Sequence, residues 1–509
     1  MSAKTMLGRG GKRVLSGLFL AGLLAGSSGC PVNDLLEGAE ASDAGAPGPD
    51  ATADATHAPD GAGVGAPSDA AIDAADGAIV AADSAIDDGA VDDSATTGEG
   101  DGTTGTVYYP LNDPSRWSFF SVSAVANGLT KYSGVAFDGR YLYFVPQFTP
   151  PNVLRYDTQA SFTDSASWTY YTPLPSIVAA GGLGTGSYTY LGSAFDGRYL
   201  YLAPFGANTY AVRYDTQQPF SHDEAWSAFN AATLDSAANY WGVISDGRYT
   251  YFVPNKTTKV LAFDNSGGGD AGSDFTAASS FTSYDLGAGN QGYWGGAFDG
   301  TYVYFAPFSG SVVARHDTAL PVTAGWDVGA AGIDLNTNFV LGAAAHFWGG
   351  AYDGNHVYMI PNATQSWTLG AYTTSGVFND YGSWSTCALG TDLLGSVTAS
   401  SAFVGAAFDG KRLFLVPYGT PAADSGAAAL PVVAYDTTQP LCPSTMASAY
   451  TTFDPATVAG GASSAGFEGA AFDGHYLYFV PHSSSVVARF EAKGTNGGLA
   501  PAAYKGSWW

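Results

Sequence analysis

Charge is scarce in this chain. Only 13% of its 509 residues are charged, and nineteen basic residues face forty-five acidic ones, a formal net charge of −26. That balance argues against nucleic acid and against an anionic membrane surface as partners. Cysteine is rarer still, with three copies, and no clustered-cysteine or helical HExxH spacing surrounds His316, His346 or His356. No phosphate loop and no dinucleotide fingerprint occurs either, so neither a metal nor a cofactor is expected. No segment beyond the first thirty residues is long and apolar enough to span a bilayer, and no helical periodicity is found. What the chain does have is apolar residues at 46%, aromatics at 14% and sixty-seven glycines. Much of it can therefore bury surface.

The N-terminus reads as an export signal, segment 1–29. Lys4, Arg9, Lys12 and Arg13 form a positive start, and Val14 to Ala25 is an apolar run of signal-peptide length. Gly26-Ser27-Ser28-Gly29 and then Cys30 resemble the lipobox of bacterial lipoproteins, in which the cysteine becomes the lipidated first residue. Gly29 fits that pattern, while Ser27 stands where such proteins usually carry leucine; the other reading is an ordinary signal peptide with a chance cysteine. The resemblance implies an exported protein anchored to the membrane through Cys30. Pro31 favours the outer membrane or cell surface, by analogy with lipoprotein sorting. Residues 30–105 hold seventeen acidic and no basic residues, and no Trp, Tyr or Phe. Such a stretch buries too little to offset the entropy of ordering it, and its charges repel one another, so a disordered acidic stalk is expected.

After Tyr108 the chain repeats itself. The unit is clearest at Tyr132 to Pro146, YSGVAFDGRYLYFVP. Its Asp-Gly recurs at Asp138, Asp196, Asp246, Asp299, Asp353, Asp409 and Asp473, with spacings of 50 to 64 residues. Four residues before each Asp is a glycine, six before is an aromatic, and eight after is a proline. Asp-Gly between two β-rich runs marks a hairpin. A third strand follows (VLRYDT at Val153 and counterparts), then a fourth headed by Trp168, Trp226, Phe281, Trp326, Trp384 or Tyr450. Four strands per unit, seven times, predicts an all-β fold: a seven-bladed β-propeller of four-stranded antiparallel blades over 106–495, followed by a tail, 496–509. The last unit lacks its fourth strand, and Trp117 to Ser121 looks like a fourth strand with no unit before it. That N-terminal strand is expected to complete blade VII and close the ring, with Trp508 and Trp509 as the other source.

The repeat GxAFDGRYLYFVP…VLRYDT resembles those of bacterial secreted propeller proteins and, at the level of fold, is similar to the kelch and YVTN class. It lacks the Gly-His and Trp-Asp signature of WD40 repeats. The resemblance implies a fold and brings no activity with it.

Two positions per blade vary while their neighbours repeat. Five residues before each Asp are Ser133, Leu191, Trp241, Trp294, Trp348, Val404 and Glu468. After each proline come Gln147, Phe205, Asn255, Phe308, Asn362, Tyr418 and His482. Both sets are expected on one face, at the mouth of the central channel. Trp241, Trp294 and Trp348 occupy one equivalent position on three consecutive blades; they either fill space between blades or stack on a ligand such as a sugar. Phe205, Phe308, Asn255, Asn362 and Tyr418 are further ligand-binding candidates. Glu468 and His482 are the only acid and base expected on this face, which is thin support for catalysis. The seven Asp of the Asp-Gly turns are expected at the opposite end, in a folding role. Cys387 and Cys442 form either a disulfide or two buried thiols. The reading is a monomeric, surface-displayed binding or scaffold module for a glycan or an envelope or extracellular protein. The alternative is an extracytoplasmic polysaccharide hydrolase or lyase.

Overall fold

The computed structural model describes residues 106–494, apart from 149, 173–189, 267–272, 336–345, 363–366, 395–401, 419–429, 463–465 and 483. The expected signal segment, Cys30, the acidic linker to 105 and the tail with Trp508 and Trp509 lie outside the described residues. The rest forms seven antiparallel sheets. Blade I holds β2 (Tyr132–Phe137), β3 (Tyr141–Pro146), β4 (Val153–Asp157) and β5 (Trp168–Tyr171). Blade II holds β6 (Tyr190–Phe195), β7 (Tyr199–Pro204), β8 (Tyr210–Asp215) and β9 (Trp226–Asn230). Blade III holds β10 (Tyr240–Ser245), β11 (Tyr249–Pro254), β12 (Lys259–Asp264) and β13 (Phe281–Asp285). In blade IV, β14 (Tyr293–Phe298), β15 (Tyr302–Pro307) and β16 (Val312–Asp317) are followed by a divided outer strand. Its halves, β17 (Trp326–Asp327) and β18 (Ile333–Asp334), flank Gly329 at φ 57°. Blade V holds β19 (Phe347–Tyr352), β20 (His356–Pro361), β21 (Thr368–Thr373) and β22 (Trp384–Ala388). Its third strand forms despite a sequence far from the repeat. Blade VI holds β23 (Ala402–Phe408), β24 (Arg412–Tyr418), β25 (Val432–Asp436) and β26 (Tyr450–Phe453).

Blade VII holds β27 (Phe467–Phe472), β28 (Tyr476–Pro481) and β29 (Val486–Glu491), and its outer strand is β1 (Trp117–Ser121). The register runs from Trp117 opposite Phe490 to Ser121 opposite Val486. The strand from the start of the domain thus closes the ring. The inner strands β2, β6, β10, β14, β19, β23 and β27 each lie against the next, and β27 returns to β2. They are buried along nearly their whole length because each sits between two blades, which is why they read as continuous apolar runs.

The repeated residues each have a mechanical task. In blade I, Asp138 Oδ1 accepts the backbone N–H groups of Arg140 (2.8 Å) and Tyr141 (2.6 Å), and Oδ2 accepts the Tyr143 hydroxyl at 2.7 Å. The same hydroxyl-to-carboxylate bond recurs from Tyr201 to Asp196, Tyr251 to Asp246, Tyr304 to Asp299, Tyr358 to Asp353 and Tyr478 to Asp473. Burial, helped by the neighbouring carboxylate, pushes these phenols far above their ordinary range. The glycine four residues before each Asp marks a β-bulge in every inner hairpin. Gly134 has φ 88°, and a Cβ there would lie 3.2 Å from the Gly192 Cα of the next blade. Four tryptophans heading outer strands donate their indole N–H to a carbonyl six residues back, as Trp168 does to Phe162 at 3.0 Å and Trp384 to Phe378 at 2.8 Å, while Trp326 donates to Val322, four back.

Blade VI breaks the pattern. Phe414 stands where the tyrosine would be, and Arg412 takes over: its Nε and Nη2 reach Asp409 Oδ2 at 2.9 and 2.8 Å. Its remaining N–H groups donate to Tyr109 O (2.6 Å) and Ala492 O (2.9 Å). One guanidinium therefore ties the first and last segments of the propeller to blade VI. Elsewhere the third-strand arginines staple neighbouring blades. Arg155 lies over Tyr141 of its own blade (4.3 Å) and Phe220 of the next (4.4 Å), and Arg489 likewise over Tyr476 and Phe162. The disulfide left open by the sequence is present: Cys387 of blade V is bonded to Cys442 of blade VI, with Cα atoms 5.0 Å apart.

Candidate functional site

The proline at the end of each second strand is paired with the aromatic at the start of the inner strand, as Pro146 with Tyr132, and in blade VI Pro417 with Phe403, one residue inside the strand ends. The next residue then donates its N–H to the residue preceding that aromatic: Gln147 to Lys131, Asn255 to Asn239, Phe308 to Gly292, Asn362 to His346 and His482 to Gly466. The two variable positions of each blade therefore share one end of the ring, opposite the Asp-Gly turns.

There the side chains form one continuous cluster. Trp241 and Trp294 stack face to face, 3.9 Å apart at 5°. Phe308 stacks on Trp294 at 3.3 Å and 10°. Phe205 meets Trp241 edge-on at 4.8 Å. Trp348 packs edgewise on Trp294 at 4.8 Å and touches Tyr418 at 4.7 Å. Trp241, Trp294 and Trp348 are all buried and share the cluster with Leu191 and Val404. Asn255 and Asn362, at the equivalent mouth positions of blades III and V, are buried too.

The chain of contacts ends in polar groups. Tyr418 of blade VI lies 3.3 Å, hydroxyl to Nε2, from His482 of blade VII. His482 Nδ1 is 2.5 Å from Glu468 Oε2. A carboxylate only accepts, so this network assigns the proton to Nδ1 and leaves Nε2 to accept from Tyr418. Glu468 and His482 thus share one rim, with side chains 6% and 14% exposed. Blade I adds Ser133, which donates to Tyr190 O at 3.1 Å, and buried Gln147. Several buried polar atoms here have no hydrogen-bond partner among the described residues: Gln147 Oε1, Asn362 Nδ2, Trp294 Nε1 and Trp348 Nε1. Among the described residues, no group of three or more His, Cys, Asp or Glu is placed to hold a metal ion.

Taken together, the blades leave no doubt about architecture. The chain is a seven-bladed β-propeller. No protein-family model and no curated protein matches its sequence. Among solved structures it is similar to the β-propeller domain of Myceliophteria thermophila Cps50 (Swd1), 9% identical with a TM-score of 0.43 over 71% of this chain and 97% of that one. It is also similar to Kuenenia stuttgartiensis hydrazine synthase, 14% identical with a TM-score of 0.45 over 72% and 97%. A third is PorZ, a surface component of the type-IX secretion system of Porphyromonas gingivalis, 10% identical with a TM-score of 0.41 over 76% of this chain and 40% of that one. Identities this low speak to fold alone.

One mouth residue escaped the sequence reading. Lys131 is the only non-glycine residue with positive φ (62°) among the described residues. Its counterparts Gly292 (φ 78°) and Gly466 (φ 77°) carried the signal, since a position that accepts glycine in other blades requires that backbone.

Proposed function

We propose that the propeller is an exported, lipid-anchored binding module that takes a glycan or an envelope or extracellular protein at the channel mouth. Cys30 is the lipid site in this reading, and the acidic segment after it holds the propeller off the membrane. One observation carries the binding assignment. The two positions that vary from blade to blade converge at one end of the ring, and buried donors and acceptors there lack partners among the described residues. Residues that serve folding recur in every blade; those that serve a ligand need not. The test is retention of the detergent-solubilised full chain on immobilised envelope polysaccharides and envelope proteins. Wild type is retained by one of them, and Tyr418→Ala weakens retention by about tenfold or more, the loss of roughly 1.4 kcal/mol. Equal retention of both proteins, or none of the wild type, refutes the reading.

A second reading draws on one contact. The Glu468–His482 pair, hydrogen-bonded on the mouth rim, is the arrangement a general acid–base step needs, which favours an extracytoplasmic hydrolase or lyase. It requires Glu468→Gln to abolish polysaccharide turnover; unchanged turnover in that variant removes it.

A further inference from the structure

We infer that the mouth ligand is an uncharged, hydroxyl-rich saccharide end, received by the sector of blades V, VI, VII and I that holds Asn362, Tyr418, His482 and Gln147. The inference rests on the mouth-binding reading and narrows it.

The tryptophan faces are already occupied. Trp294 is sandwiched between Trp241 and Phe308, with both faces covered. Trp241 spends one face on that stack and meets Phe205 besides. These rings plug the channel axis from blades II to V, so they supply a floor rather than a stacking platform. Tyr418, packed on Trp348 and His482, and Phe308, stacked on Trp294, are by contrast only partly buried, and the part of each that stays exposed offers apolar contact to the C–H groups of a sugar.

Charge is scarce at the variable mouth positions. Of the fourteen variable positions, Glu468 is the only one with a carboxylate and none carries Lys or Arg. The Glu468 carboxylate is engaged by His482 Nδ1. Lys131, beside Gln147 on the rim, turns its ammonium onto the Phe148 ring at 4.7 Å. An ionic ligand seated among these fourteen positions would be desolvated there with no free counter-charge among them, since exposed Lys131 and Lys256 stand outside the set.

The unpaired groups point both ways. Asn362 Nδ2 and Trp348 Nε1 are donors awaiting an acceptor, and Gln147 Oε1 is an acceptor awaiting a donor. Trp348 touches Tyr418, Tyr418 bonds to His482, and the inner strand of blade VII lies against that of blade I. The donors and the acceptor thus bracket the Tyr418–His482 pair. A hydroxyl both donates and accepts, and a sugar places several on diverging bonds, which suits opposed walls of opposite hydrogen-bonding sense. A peptide backbone offers both senses too, and unmodified peptides are therefore the competing arm of the test.

The experiment is an array of neutral oligosaccharides (gluco-, manno- and xylo-hexaoses), polygalacturonate and unmodified peptides, probed with the detergent-solubilised full chain. A neutral oligosaccharide is expected to bind, to be competed by its terminal monosaccharide, and to bind about tenfold or more weakly to Gln147→Leu. The isosteric Asn362→Asp, which exchanges a donor for an acceptor without changing shape, is expected to lose binding as well. Arg248→Gln, at the Asp-Gly end, leaves affinity unchanged. Retention of polygalacturonate or peptides alone overturns the inference, and the mouth-binding reading survives if Tyr418→Ala abolishes that retention. Neutral binding that neither Gln147→Leu nor Asn362→Asp weakens also overturns it. No retention of any class overturns both.

Discussion

Arg412→Ala tests the ring-closure clamp most sharply. The Asp409 carboxyl is 0% exposed, and its side-chain partner is the Arg412 guanidinium, itself 12% exposed. In the variant the carboxylate keeps the backbone N–H groups of residues 411 and 412 but loses its counter-charge. Removing one partner of a buried ion pair costs about 3–5 kcal/mol, because the other charge stays buried uncompensated. The carbonyls of Tyr109 and Ala492 also lose charge-assisted donors, which loosens the segments flanking the closing strand. Denaturant unfolding of the propeller is therefore expected to show a loss of about 3–5 kcal/mol, together with earlier proteolysis near Tyr109. The paired change Arg412→Tyr with Phe414→Tyr restores the residues that other blades carry at these positions. A phenol can then donate to Asp409, returning about 1.5–3 kcal/mol while leaving the two carbonyls untied. A loss of less than about 1 kcal/mol in Arg412→Ala, or a paired variant no more stable than it, would refute this account of the clamp.

Two further outcomes follow from the same packing. His316 is fully buried, 4.6 Å from Trp326, and burial depresses its pKa below the ordinary 6.5. Its contribution to stability is complete above 6.5 and is lost as the pH falls below that value, because the unfolded chain then binds a proton that the folded state refuses. Tyr156, Tyr214, Tyr372 and Tyr435 occupy this position in other blades and donate to the carbonyl four residues on. His316→Tyr is thus expected to flatten the stability difference between neutral and mildly acidic solution, measured by thermal melts; an unchanged difference contradicts it. Cys387→Ser opens a cross-link of sequence separation 55 between blades V and VI. It is expected to lower stability by about 2–4 kcal/mol, with reducing agent reproducing the loss in wild type; equal melts with and without reductant contradict it.

Periodicity made most of the fold legible. Asp-Gly turns, the aromatic six residues before and the proline eight after gave the strand order. The orphan strand at Trp117 gave the closure, because an unpaired edge needs a partner wherever the chain can find one. Periodicity also separated the varying positions from the repeating ones, so the mouth could be named residue by residue. It gave no reason for the bulge glycines, whose need arises only when Gly134 meets Gly192 across two blades, 58 residues away in sequence. It also gave no hint that Arg412 does in blade VI what a tyrosine does elsewhere, since that substitution is read only against Tyr109 and Ala492. The sequence by itself determined which positions are free to differ. Only the tertiary structure decided what those positions do: close packing turned three tryptophans into a plug, and ring closure brought Glu468, His482 and Tyr418 into one hydrogen-bonded chain beside Gln147. Those contacts join residues far apart along the chain, and their geometry is set by the circle, which no local pattern encodes.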